Sequence, residues 1–186
     1  MSTRLKSLPR LKGLKGDKLT KKLPTPQHVS GEQYFLDVEE AHVNEIWIRL
    51  GQKPKDYKLA KRVAKLMEKH PNGTIPELVA MDWLDGERVE YIYLAQIYGG
   101  HQRKGGVEVD LLFEYQGVGT AWLVHGNYWH SRPEVAASDA QDKLRFLGAT
   151  YHGIRIEKVV ALWEEKIYNN RPEVFELGLI GIELGQ

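Results

Sequence analysis

The chain has 186 residues, no cysteine and a formal net charge of +1. Without cysteine it has no disulfide scaffold, no cysteine-ligated zinc site and no thiol nucleophile. No stretch approaches about eighteen uninterrupted apolar residues, and no secretory signal core is present. We therefore expect an intracellular or particle-bound protein that is neither secreted nor inserted in a membrane.

Charge is distributed unevenly along the chain. Residues 1–28 carry a net charge of +7, which leaves −6 for residues 29–186. Because prolines and glycines interrupt a helix-like leucine spacing, we interpret residues 1–28 as a flexible or partner-ordered arm for a polyanion or an acidic partner, with a solvated solubility tail as the alternative. Its basic residues are Arg4, Lys6, Arg10, Lys12, Lys15, Lys18, Lys21 and Lys22.

Helical signals come first in the remaining chain. After a stretch whose pattern is ambiguous, "DYKLAKRVAKLMEKH" has the apolar spacing of an amphipathic helix and ends at "PNG". Thr74 and Glu77 then form a capping-box pattern, which predicts a second helix from about residue 75 to 85. We assign residues 29–73 to a helical N-terminal region and residues 74–186 to an α/β domain.

Strand signals follow the second helix. "VEYIYLAQIY" is rich in β-branched and aromatic residues, and "GTAWLVH" is apolar on both faces, which suits a central strand covered by helices. The segment between them, "GVEVDLLFEY", alternates. Its alternation predicts one shared apolar face made of Val107, Val109, Leu111 and Phe113.

The last part of the chain contains a helix and at least one more strand. "RPEVAASDAQDKLRFLGA" begins with a proline suited to a helix N-terminus and places Leu144 and Leu147 on its apolar side. "YHGIRIEKVVALW" and "PEVFELGLIG" fit either a strand pair or a strand and a helix. The order of helix, three strands, helix and strand predicts a mixed central sheet flanked by helices.

Four residues in this order have side chains suited to phosphodiester hydrolysis: Glu77, Asp110, His125 and His130. Carboxylates suit Mg²⁺, and an imidazole can activate or hold water. If the second and third strands are neighbours, their polar side chains can converge. Each residue also has a structural explanation: Glu77 completes a cap, Asp110 faces solvent, and the histidines pack beside Tyr128 and Trp129.

The loop "GGHQRKGG", residues 99–106, is the second candidate region. Its glycines allow a close backbone approach, and His101, Arg103 and Lys104 supply cationic or polar side chains for phosphate oxygens. A mobile hairpin loop has the same composition, so this pattern gains weight only beside the basic arm.

The run "VEVDLLFEYQGVGTAWLVHGNYWHSRPE" resembles the core of the very-short-patch-repair endonucleases and related homing endonucleases, which have the restriction-endonuclease-like fold. The similarity covers about residues 74–165, and its most specific part is "HGNYWH" after the aspartate strand. It implies an α-β-β-β-α-β core and a Mg²⁺-dependent DNA endonuclease or nickase. The implied metal ligands are Asp110 and the backbone carbonyl of Val124, which stands where the family has threonine.

The resemblance also implies roles for the other residues. His125 and His130 would activate water or steady the phosphate, and Glu77 would be the helix-borne acid. Mg²⁺ is the expected cofactor, and DNA is the expected partner. The predicted DNA contacts, apart from the arm, are His101, Arg103, Lys104, Asn127, Tyr128, Trp129 and Arg132.

Two alternatives to a nuclease stay open at this level. One is a catalytically silent nuclease-like fold that serves as a structural or DNA-binding component, for example of a phage particle, with the arm contacting neighbouring subunits. The other is a DNA-binding regulator that does not cleave. The first alternative fits the net negative charge of residues 29–186, which we call the body, because a negative surface is poor at capturing free DNA. The expected location is accordingly the cytoplasm or a phage particle.

Overall fold

A computed structural model describes residues 31–100, 106–127 and 133–185. Three helices come first: α1 (Gly31–Arg49), α2 (Tyr57–Lys69) and α3 (Ile75–Glu87), with a 3₁₀ turn at Pro54–Asp56 before α2. The predicted capping box starts α3, where the Thr74 N–H donates to Glu77 Oε2 at 3.3 Å. The sequence left α1 undetermined.

The strands form one five-stranded sheet. They are β1 (Tyr91–Ile97), β2 (Val107–Tyr115), β3 (Val118–His125), β4 (Thr150–Tyr151) and β5 (Ile154–Trp163), in the order β1-β2-β3-β5-β4. The first three strands run antiparallel, and β3 pairs in parallel with β5. The prediction of a mixed sheet with β3 at its centre is confirmed.

Three helices complete the described chain. Helix α4 (Pro133–Phe146) connects the parallel strands β3 and β5, and α5 (Glu164–Asn169) and α6 (Arg171–Leu179) follow β5. Parallel neighbours need such a crossover connection. Of the two alternatives for the C-terminal segments, the strand followed by a helix is the one observed. No helix among the described residues is long and apolar enough to cross a membrane.

The apolar core has two parts, one on each face of the sheet. The larger cluster joins α1, α2, α3 and α6 to residues of β2, β3 and β5, and it contains the stacked rings of Trp83, Phe175 and Trp122. The smaller cluster contains Phe146 of α4. Residues on both sides of the predicted boundary at residue 74 contribute to the larger cluster, so this boundary marks a change of secondary structure within a shared core. The contributors before residue 74 are Val43, Ile46, Leu50, Ala60, Val63 and Ala64.

Two predictions of apolar faces are wrong. Val107 and Val109 lie in the smaller cluster, whereas Leu111 and Phe113 lie in the larger one on the opposite face. The side-chain alternation of β2 therefore shifts at the residue between them, Asp110.

The predicted apolar side of α4 is also incorrect. Leu144 is 72% exposed and Leu147 46% exposed, while Phe146 is buried. The sheet covers the side of the helix that carries Phe146, since the larger aromatic ring buries more apolar area.

Candidate functional site

An irregularity in the sheet places Asp110. The β1–β2 ladder pairs Tyr93 with Leu111 and Ala95 with Val109, but the intervening Leu94 and Asp110 are not paired. Leu94 has a φ of 51°, a left-handed conformation that is unfavourable for a branched side chain. The irregularity lets Asp110 depart from regular alternation in the middle of an apolar strand.

The carboxylate of Asp110 bonds to the backbone of β3. Its Oδ2 accepts a hydrogen bond of 2.6 Å from the N–H of Val124. The β2–β3 ladder extends only to the pair Leu111 and Trp122, so the carboxylate takes the place of a backbone acceptor beyond that point. The two strands are neighbours, which is the condition that convergence of their polar side chains required. The role of the Val124 carbonyl as a metal ligand stays a prediction, because the observed bond uses its N–H.

Glu77 lies near Asp110, at the start of α3. Its Oε2 accepts hydrogen bonds from the Thr74 N–H and from the Tyr93 hydroxyl, the second at 2.8 Å. Its negative charge is one of the influences that raise the pKa of Asp110. The structure therefore brings together two of the four predicted catalytic residues, and the capping role of Glu77 coexists with this position.

The electrostatics around Asp110 favour its protonated form. Burial raises the pKa of Asp110 to about 7, the Val124 N–H opposes this shift, and the charges of Glu77 and Glu108 add to it. Burial and the hydrogen bond to Glu77 also raise the pKa of Tyr93. We call Glu77, Tyr93, Glu108 and Asp110 the acidic site.

Sequence reasoning missed three residues of this region: Tyr93, Glu108 and His70. In the sequence, Tyr93 and Glu108 stand out only as parts of strand patterns, and His70 only as the end of a helical segment. The ring of His70 lies edge-on to Tyr93, with centroids 5.1 Å apart. The hydroxyl of Tyr93 was a signal that the sequence offered. A tyrosine in a strand that packs against a helix usually has a hydrogen-bond partner for its hydroxyl.

His125 lies on the other side of the sheet. It is 5% exposed, its Nδ1 is 3.9 Å from Asp139 Oδ2 of α4, and its ring is edge-on to Trp163. Side chains alternate along a strand, so His125 shares the face of Leu123, in the smaller cluster, whereas Val124 packs against the larger cluster beside α3. The side chains of His125 and Asp110 therefore do not converge, contrary to the expectation.

Asn127 follows His125 and points toward the start of α5. Its Nδ2 donates a hydrogen bond of 3.4 Å to Glu165 Oε2. The other predicted DNA contacts and the predicted catalytic residue His130 lie outside the described residues, and their roles stay predictions. They comprise the arm and His101, Arg103, Lys104, Tyr128, Trp129, His130 and Arg132.

The chemistry of the acidic site suits a hard divalent cation. Carboxylate oxygens are preferred by Mg²⁺, and a cation would offset both the cost of burying the charge of Asp110, which is the main cause of its raised pKa, and the smaller repulsion from Glu77 and Glu108. Within the described ranges, no three His, Asp or Glu side chains are grouped closely enough to hold a metal by themselves. Mg²⁺ does not require such a cage, since it usually binds one or two carboxylates, several waters and substrate phosphates.

Comparison with known proteins does not assign the chain to a family. No protein family, curated protein or solved structure matches it.

Proposed function

We propose that the protein is a Mg²⁺-dependent DNA endonuclease or nickase whose reaction centre is the acidic site. The observation that carries this proposal is the placement of Asp110: a mostly buried carboxylate, fixed by a neighbouring strand and within the electrostatic influence of Glu77 and Glu108. A solvated surface aspartate would have none of these constraints. A strand interrupted to hold a charged group is a cost to folding that a functional site explains.

The order of helices and strands supports a more specific version of this proposal, which includes the fold family. Helix α3, the antiparallel strands β1 to β3, helix α4 and the parallel strand β5 follow one another in the order that the resemblance implies. We therefore include the restriction-endonuclease-like fold in the proposal. The segment "HGNYWH" supports it from the sequence.

Each residue of the acidic site has a proposed task. Asp110 would bind the cation, held in place by the Val124 N–H. Both hydrogen bonds of Glu77 end on Oε2, so Oε1 is the oxygen through which it would bind the cation or a water. When bound, Mg²⁺ supplies charge neutralisation at the phosphate and a more acidic water.

His125 takes an indirect role in this proposal. Its imidazole lies beside Asp139 and Trp163 at the end of β3, one residue after the N–H that fixes Asp110. It would thereby hold the end of β3, and it leads into the segment that contains His130. Whether His130 activates water, as the resemblance implies, stays a prediction.

The test is the nicking of supercoiled plasmid with Mg²⁺ or Mn²⁺. We expect Asp110→Asn to lower the rate by roughly 100-fold or more, because binding of a catalytic metal contributes several kcal/mol. The amide keeps an acceptor for the Val124 N–H but carries no charge. Glu114→Gln is the matched control, since Glu114 is an exposed acid of the same strand. Equal background conversion by wild type and Asp110→Asn would refute the proposal.

A further inference from the structure

The exposed face of α2 is strongly cationic. Residues 53–69 carry seven basic and two acidic side chains, a net charge of +5, while the rest of residues 29–186 has a net charge of −11. One of the two acids, Asp56, is buried and bonded to Arg171. The charge of residues 29–186 is therefore unevenly distributed, with a net positive charge on α2 and on the turn that precedes it.

The basic residues of α2 share one side of the helix. Lys58, Lys61, Arg62, Lys65 and Lys69 are all exposed, whereas Ala60, Val63 and Ala64 are buried. We call these five basic residues the α2 stripe. Spacings of three and four residues place side chains next to one another on a helix. From Lys58 to Lys69 the stripe rises about 16 Å, which corresponds to about five base-pair steps of a duplex.

The stripe does not help the helix to form. It contains like-charged pairs four residues apart, such as Lys61 with Lys65 and Lys65 with Lys69, and such pairs are destabilising. Its first lysines lie near the positive end of the helix dipole, where the first turn contains no acid. Among the described residues, Lys58, Lys65 and Lys69 form no ion pair, so their charges are available to a partner.

The stripe also leads to the acidic site. Lys69 is the last residue of α2, and the next residue, His70, stacks edge-on against Tyr93. Tyr93 in turn bonds to Glu77. A polyanion that follows the stripe would therefore arrive beside the carboxylates, which themselves repel phosphates and need a cationic neighbour to capture them.

We infer that the α2 stripe is a binding surface for the phosphate backbone of double-stranded DNA. The inference rests on the proposed function for the choice of DNA as the polyanion. Lysines contact phosphates without reading bases, so the surface positions the duplex and gives no sequence preference. It supplies the capture surface that the acidic remainder of the body lacks.

The test is duplex binding by the full chain, measured by fluorescence anisotropy in EDTA at several salt concentrations. The stripe variant is Lys58→Gln with Lys65→Gln and Lys69→Gln. The control removes the same charge from α4, β5 and α5 through Arg145→Gln, Arg155→Gln and Lys166→Gln. We expect the stripe variant to raise Kd about tenfold or more and to reduce the salt slope by about 2 to 3, with the control within about twofold of wild type.

Three outcomes decide the inference. A stripe variant that binds like the control overturns it. Loss of binding to phosphatidylserine-containing vesicles with unchanged duplex binding also overturns it, in favour of a membrane surface. Stripe-dependent duplex binding that persists in Asp110→Asn supports it, and does so even if plasmid nicking is absent, in which case only the proposed nuclease activity fails. Thermal midpoints of both triple variants check that each protein is folded.

Discussion

The two faces of the sheet place a polar side chain in opposite electrostatic environments. On the α3 face, Asp110 lies among other carboxylates, and burial and repulsion raise its pKa to about 7. On the α4 face, His125 lies beside a carboxylate, Asp139, and the ring of Trp163. The surroundings of Asp110 disfavour its negative charge, whereas a protonated His125 has a group of opposite charge next to it, the carboxylate of Asp139.

This difference separates the two groups that sequence reasoning had joined. Carboxylates that disfavour their own ionisation are a place where a cation gains binding energy, while an imidazole next to an aspartate is held in position. If the proposed function is right, the α3 face is the chemical face and the α4 face a supporting one. The predictions below test this division, beginning with the largest expected effect.

The charge of Asp110 should lower the stability of the folded protein at high pH. Its folded-state pKa of about 7 exceeds the ordinary value of 3.8, so between these values the folded protein retains a proton that the unfolded chain has lost. Its contribution to the free energy of unfolding then falls as pH rises through this window, by at most about 4 kcal/mol. Asp110→Asn should remove that fall and be more stable than wild type at pH 8.

Urea denaturation of wild type and Asp110→Asn at several pH values between about 4 and 8 measures this difference. Using the difference between the two proteins cancels the other titrating groups. A constant difference across the pH range would show that Asp110 is not destabilised in the folded state.

Mg²⁺ should stabilise the protein through the α3 face alone. A ligand at about 100 times its Kd adds about 2.7 kcal/mol to the free energy of unfolding. We expect a rise in thermal midpoint for wild type and for Asp139→Asn, and none for Asp110→Asn. The rise should be larger at pH 8 than at pH 6, since protons compete for a carboxyl whose pKa is about 7. A rise retained by Asp110→Asn would place the metal elsewhere.

Removing the Tyr93 hydroxyl should have an intermediate effect. Tyr93→Phe deletes the 2.8 Å hydrogen bond to Glu77, and bonds to charged groups contribute roughly 1.5 to 3 kcal/mol. We expect a loss of about 1 to 2 kcal/mol in chemical denaturation at pH 8, together with a weaker response to Mg²⁺ as Glu77 becomes less fixed. Tyr115→Phe, for which no hydroxyl hydrogen bond is described, is the matched control, and an equal loss in both variants would contradict the role given to Tyr93.

The smallest effect is expected on the α4 face. His125 and Asp139 are 3.9 Å apart, too far for a hydrogen bond, and Asp139 is partly exposed. Asp139→Asn should change the free energy of unfolding by less than about 1 kcal/mol. A loss of several kcal/mol in denaturation would show that this pair, and not the acidic site, is the energetically constrained polar group of the sheet.

Local patterns predicted much of the fold. The Thr74 and Glu77 cap starts α3 where expected, and the apolar run of β3 is central, because short-range rules act within one turn or one strand. Prediction failed where two elements meet. The shift of alternation at Asp110 depends on the unpaired Leu94 of another strand, and the exposure of Leu144 depends on how α4 lies on the sheet.

The candidate site, like the fold, was predicted only in part. Asp110 and Glu77 were named from their residue types and places in the element order, and they do lie near each other. Tyr93 and His70 were not named, because their meeting results from the packing of the turn after α2 against β1. No pattern in either segment alone encodes that contact.

The sequence by itself determined the order of the elements from α2 to α4, the uneven charge and the residue types available for chemistry. These depend on composition and on periodicity within single segments. Only the tertiary structure decided which face each polar group occupies. A pleated strand sends neighbouring residues to opposite sides, so one irregular pair at Leu94 and Asp110 fixes the position of Asp110, while regular alternation in β3 directs His125 away from it.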